Sequence, residues 1–150
     1  MKDKVVIYTD GACKGNPGPG GWGAVLQYRH QEKHLFGGAP DTTNNRMELS
    51  AVIHALTALT RPCAVTLYTD SQYLQLGMTQ WLPNWRRRNF RSAGGKVIKN
   101  ADLWRQLEAA SSPHTIEWVW VRGHAECAGN VQADKLANQG VQEMTTTPPK

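Results

Sequence analysis

Four carboxylates, Asp10, Glu48, Asp70 and Asp134, stand in settings that could bring them together. Asp10 and Asp70 each close a β-branched run, residues 4–10 and 64–70, and both runs end in Tyr-Thr-Asp. Either aspartate alone reads equally as a turn cap. If the two runs are parallel neighbours, about 4.8 Å apart, both acids fall on the carboxyl rim of one sheet, where open α/β sheets bind ligands. Glu48 lies on or beside the apolar stripe Leu49, Val52, Ile53, Leu56 and Leu59 of a helical pattern. A solvated acid belongs on the opposite face, so this one needs a cation, Arg46 as a partner, or a raised pKa. Asp134, placed in the first turn of the last helical pattern, is by itself a dipole-compensating acid. Several converging acids without matching bases repel one another in a partly dry site unless divalent cations occupy it. Oxygen donors with no thiolate set favour Mg²⁺, or Mn²⁺ in its place, over zinc. Two such ions about 3.5 to 4 Å apart clamp the attacking water and the leaving oxygen of a phosphodiester.

These acids need an α/β scaffold. Residues 4–10, 22–29 and 32–36 read as strands, the first stopped by the glycine and proline cluster at 15–21, and together they make an antiparallel meander. Residues 44–60 read as a helix capped by Thr42 or Thr43 and ended by Pro62. A buried strand follows at 64–70, then short helices at 71–77 and 79–85, a helix at 101–110 begun at Asn100, a strand at 115–121 and a helix at about 131–141. The crossovers from the first helix onward force parallel pairing. The fold class is therefore α/β, with a mixed sheet flanked by helices.

Composition narrows the partners. The chain carries 17 basic and 12 acidic residues, a net +5, and the stretch from Arg86 to Lys99 holds six cations with no acid among them. The rest is nearly neutral, so one cationic segment on a balanced body points to a polyanion. No apolar run approaches the roughly 20 residues of a membrane span. Three cysteines, Cys13, Cys63 and Cys127, form no C-x-x-C pair and read as free thiols. With no signal-peptide core, the cytoplasm is the expected compartment and a monomer the expected state.

Read in order, the blocks at 8–24, 42–49, 69–73, 99–104 and 120–125 resemble bacterial ribonuclease HI. The resemblance spans nearly the whole chain and implies a ribonuclease H fold with a five-stranded mixed sheet and a basic protrusion at about 81–99. It also implies a single catalytic domain at 1–142, with 143–150 as a flexible tail. The implied activity is metal-dependent endonucleolytic hydrolysis of the RNA strand of RNA/DNA hybrids, leaving 5′-phosphate and 3′-hydroxyl ends, with two Mg²⁺ ions when substrate is bound. Asp10, Glu48, Asp70 and Asp134 match the family's catalytic, metal-holding carboxylates, and His124 its loop histidine. Cys13, Asn16, Asn44, Asn45 and Gln72 match its RNA-groove contacts. Thr43 and Asn100 match a DNA-phosphate pocket, and Trp81, Trp85, Arg86, Arg87 and Arg88 the DNA-strand grip. Asp41 stands where relatives often carry an arginine of that pocket, and residues 126–132 depart from the usual loop. A catalytically silent hybrid-binding module and a nuclease acting on DNA duplexes or junctions are the competing readings.

Overall fold

The computed structural model describes residues 3–92, 94–122 and 128–145. Strand β1 (Asp3–Cys13) lies between antiparallel β2 (Gly18–Tyr28) and parallel β4 (Cys63–Thr69). β3 (Gln31–Thr42) extends the sheet beyond β2 and β5 (Thr115–Trp120) extends it beyond β4, giving the order β3-β2-β1-β4-β5. The expected antiparallel opening and parallel continuation are both present.

Alternation along β1 and β4 sorts side chains between two faces. Val5, Ile7, Val65 and Leu67 join the main core with Leu49, Val52 and Leu56 of α1 (Asn44–Thr57) and with Leu103, Trp104 and Leu107 of α4 (Ala101–Ser111). Each such fully buried side chain contributes about 2 kcal/mol. The opposite face carries α5 (Ala128–Thr145), which packs on β1, β2 and β3 with Val25, Ala133 and Leu136 at its centre.

Several boundaries move from those the sequence suggests. β1 continues past Asp10 to Cys13 and β2 starts at Gly18, because the glycines leave room for a helix pressed on the strands. A side chain at Gly23 would run into the α5 backbone at Ala133 and Ala137. β3 continues past Phe36 to Thr42. α1 stops at Thr57, before Thr60 and well short of Pro62, and Thr43 caps it through an Arg46 N–H to Thr43 Oγ1 bond of 3.2 Å. The two short helices join into one helical run, α2 (Gln72–Leu76), a π turn (Gly77–Trp81) and α3 (Leu82–Arg87). Asn100 precedes α4 in the left-handed region, φ 62°, and its side chain does not cap that helix. α5 begins at Ala128, which puts Asp134 in the second turn and not the first, and it runs through Thr145 into the expected tail.

Candidate active site

The parallel ladder between β1 and β4 ends at the pair Tyr8 and Tyr68, whose rings stack with centroids 5.0 Å apart. Two residues further on, Asp10 and Asp70 face each other where the strands part. Val121 N–H donates to Thr69 O at 2.8 Å and Trp120 Nε1 to Asp70 O at 3.0 Å, which fixes the exit of β4. Gly11 lets α1 rest on β1: a Cβ there would lie 2.5 Å from the Glu48 backbone nitrogen. That contact delivers the Glu48 carboxylate, which is only 4% exposed, to the rim.

One ligand oxygen from each of Asp10, Glu48 and Asp70 falls within 4.8 Å of the others. Asp134, from α5, reaches hydrogen-bonding distance of Asp10, so all four expected carboxylates converge. Burial, the Asp70 charge and the Asp134 carboxyl push Asp10 from 3.8 to about 8, against the pull of the Gly11 N–H, which donates to Asp10 Oδ1 at 2.9 Å. Glu48 is raised well above its ordinary value, first by burial and then by Asp10 and Asp70. Its Oε1 is buried with no hydrogen-bond partner. Arg46 does not relieve it: that guanidinium makes a bidentate pair with Asp102, at 2.8 and 3.1 Å, and donates to Asn100 Oδ1 at 3.1 Å. Clustered hard oxygens, an orphaned buried carboxylate oxygen and mutual repulsion fit a divalent cation of the magnesium type.

Around the rim, Asn16 Oδ1 accepts from Asn44 N–H at 3.0 Å, tying the turn between β1 and β2 to the start of α1. Cys13 ends β1, its thiol donating to Thr42 O at 3.3 Å. Asn44 and Asn45 open α1, the helix that carries Glu48, and Gln72 opens α2 just after Asp70. Thr43 and Asn100 are linked through Arg46, whose backbone N–H donates to Thr43 Oγ1 and whose guanidinium donates to Asn100 Oδ1. Asn100 Nδ2 and Trp104 Nε1 both donate to Tyr73 Oη, at 3.1 and 3.0 Å.

Trp81 and Trp85 belong to a chain of tilted rings running from Tyr73 to Trp104, with centroid separations of 5.0 to 6.1 Å. Trp85 packs on the main core, so its packing role is real whatever else it does. Arg87 and Arg88 lie exposed on the basic segment, and Arg87 bonds Asn84. Arg86 departs from expectation: the segment itself lacks acids, but Glu108 of α4 pairs with the Arg86 guanidinium, which is therefore not an uncompensated cation. His124 lies outside the described residues. Sequence reasoning missed the bridging role of Arg46, the Tyr73 hub and the Glu108 partner. The partners in these contacts are 22 to 56 residues apart, beyond the reach of any local pattern. A cleft of about 570 Å³ opens at the other end of β1 and β4, lined by Val5, Tyr28, Leu59, Arg61 and Cys63, far from the acids.

The fold and the rim have counterparts. The RNase H family model matches residues 2–142. A ribonuclease HI from Pseudomonas aeruginosa is 58% identical over 143 residues, covering 95% of this chain and 97% of that protein. Among solved structures, LC9-RNase H1, described as a type 1 RNase H with the type 2 active-site motif, superposes with a TM-score of 0.86 at 34% identity, covering 96% of this chain and 74% of the other. A foamy viral protease-reverse transcriptase solved with an RNA/DNA hybrid gives a TM-score of 0.76 at 26% identity over 93% of this chain and 20% of its own. With its sheet order, its helices and nearly all of its length accounted for in this way, the chain belongs to the RNase H family of nucleases.

Proposed function

We propose that the protein is an endonuclease that hydrolyses the RNA strand of RNA/DNA hybrids by in-line attack of water, leaving 5′-phosphate and 3′-hydroxyl ends. The observation that carries this reading is the buried carboxylate cluster, with one oxygen from each of Asp10, Glu48 and Asp70 inside 4.8 Å and Glu48 Oε1 unpartnered. Asp10, Glu48, Asp70 and Asp134 would hold Mg²⁺, or Mn²⁺ in its place, as two ions with substrate bound. Bound there, such ions would supply an activated water and charge neutralisation at the leaving oxygen.

The chain's own groups do the rest. Burial of Asp10 and Glu48 holds the acids in a fixed, partly dry array, so little reorganisation is needed when charge develops. His124, which matches the family's loop histidine, is the proton-transfer candidate. Cys13, Asn16, Asn44, Asn45 and Gln72 suit the shallow groove and 2′-hydroxyls of the RNA strand, since short polar groups on turns touch sugars without reading bases. Thr43, Asn100, Trp81, Trp85, Arg87 and Arg88 serve the DNA strand, with Arg86 acting mainly through its pairing to α4. The catalytic domain is 1–142 as the resemblance implies, with α5 carrying its last helix on to Thr145; the basic segment is its grip, and it works as a cytoplasmic monomer.

Cleavage assays on three labelled duplexes test this reading. With Mg²⁺, the RNA strand of the hybrid is cut and duplex RNA and duplex DNA are spared; EDTA stops the reaction. Binding of the hybrid without cleavage, or equal cutting of duplex DNA, would contradict it.

A further inference from the structure

The basic segment leaves α3 through two consecutive residues in the left-handed region, Asn89 at φ 52° and Phe90 at φ 59°. Neither is glycine, and a bulky aromatic rarely adopts that conformation, so something must hold the bend. Part of the support is local. Phe90 N–H donates to Trp85 O at 2.7 Å, Ile98 N–H donates to Phe90 O at 3.0 Å, and Phe90 is 5% exposed. The remainder comes from α4, where Arg105 Nη2 donates to the Asn89 carbonyl at 3.0 Å and the guanidinium lies 4.7 Å from the Phe90 ring centroid. Three residues further along α4, Glu108 pairs with Arg86 in the last turn of α3. Residues three apart share one face of a helix, so two opposite charges on α4 grip the root of the segment together.

Beyond the root the segment closes on itself. Arg91 and Val97 form an antiparallel bridge, Ser92 N–H donates to Lys96 O at 2.7 Å, and Arg91 Nη1 donates to Gly95 O at 3.0 Å. These bonds join Arg91 and Ser92 to Gly95, Lys96 and Val97 and set no direction relative to the acid rim. That direction is set at the bend.

We infer that Arg105 and Glu108 are positioning residues, which hold the basic segment at the angle where its cations meet the nucleic-acid strand. The inference rests on the proposed role of that segment as the substrate grip. Neither residue touches reacting atoms, so their loss acts on substrate capture and not on the chemical step. Glu108 separates positioning from simple charge attraction. Removing an acid makes the protein more positive, which alone would tighten its hold on a polyanion. A clamp predicts the reverse.

The test is steady-state cleavage of a labelled RNA/DNA hybrid with Mg²⁺ by the parent protein, Arg105→Gln, Glu108→Gln and Arg88→Ala. Both α4 variants raise KM about three- to tenfold with kcat held within about twofold, and melting temperatures stay close to that of the parent. An unchanged or lower KM for Glu108→Gln overturns the inference, as does a fall in kcat at constant KM for either variant. Arg88→Ala reports on the grip separately. It flattens the dependence of KM on salt if the segment binds nucleic acid, and an unchanged salt slope there refutes the grip reading itself. A flattened slope for Arg88→Ala with an unmoved KM for the α4 variants leaves the grip standing and refutes only the clamp.

Discussion

Asp10 shows what the cluster costs when no cation is bound. Its carboxyl titrates at about 8 in the fold against an ordinary value of 3.8, so the folded chain favours the protonated form. A raised acid gives stability that is fully present below the ordinary value and is lost as pH climbs to the folded one, here from about 3.8 to about 8. In EDTA, the parent protein therefore loses stability across that window, while Asp10→Asn keeps it. Thermal melts at pH 5 and pH 9 check this, with the variant's advantage larger at pH 9 and on the order of a few kcal/mol. If Asp10 holds metal as proposed, the same substitution removes a ligand charge without changing shape and should abolish turnover with Mg²⁺; near-parental rates would contradict that role. The burial of Glu48 was legible in sequence, because an acid on an apolar helical stripe demands an explanation. The partner of Arg46 was not, since Asp102 lies 56 residues away and nothing local marks the pair.

At the scale of elements, two glycine contacts bring the helices close enough to deliver their acids. Gly11 admits α1 against β1 and Gly23 admits α5 against β2. Adding one methyl at Gly11 drives it against the Glu48 backbone, so Gly11→Ala should move α1 outward and separate Glu48 from Asp10. Measured by Mg²⁺ titration of activity, the variant should need about tenfold more metal for half-maximal rate, for a loss near 1.4 kcal/mol of ligand interaction; an unchanged metal requirement would count against the packing argument. These glycines also account for the misread boundaries. A glycine-rich stretch reads as turn because glycine weakens strands in isolation, and here the space left by missing side chains is what lets strand and helix pack. The start of α5 was hidden in the same way. Gly129 and Asn130 are poor helix formers, but Gly129 lies against the Tyr8 ring and Asn130 is buried, so tertiary contact overrides propensity.

At the scale of the whole molecule, one group of acids meets at the sheet rim, and six of the 17 cations fall on the stretch from Arg86 to Lys99, which starts in the last turn of α3. The overall order of strands and helices followed from periodicity and turn residues, because parallel crossovers leave few ways to connect them. The pose of the basic segment did not, since it depends on contacts from α4. Replacing Arg86, Arg87 and Arg88 together by alanine should raise KM and flatten its salt dependence more than it lowers kcat. Kinetics at two salt concentrations check this, and an unchanged slope would remove the segment from the substrate path.

In the proposed enzyme, acids distant in sequence meet at one rim to hold divalent metal, and anomalous diffraction from a crystal soaked in Mn²⁺ would show whether they do. A manganese peak is expected within coordination range of Asp10, Glu48 and Asp70 oxygens. A well-occupied manganese elsewhere with none at the rim, or carboxylates found apart, would contradict it.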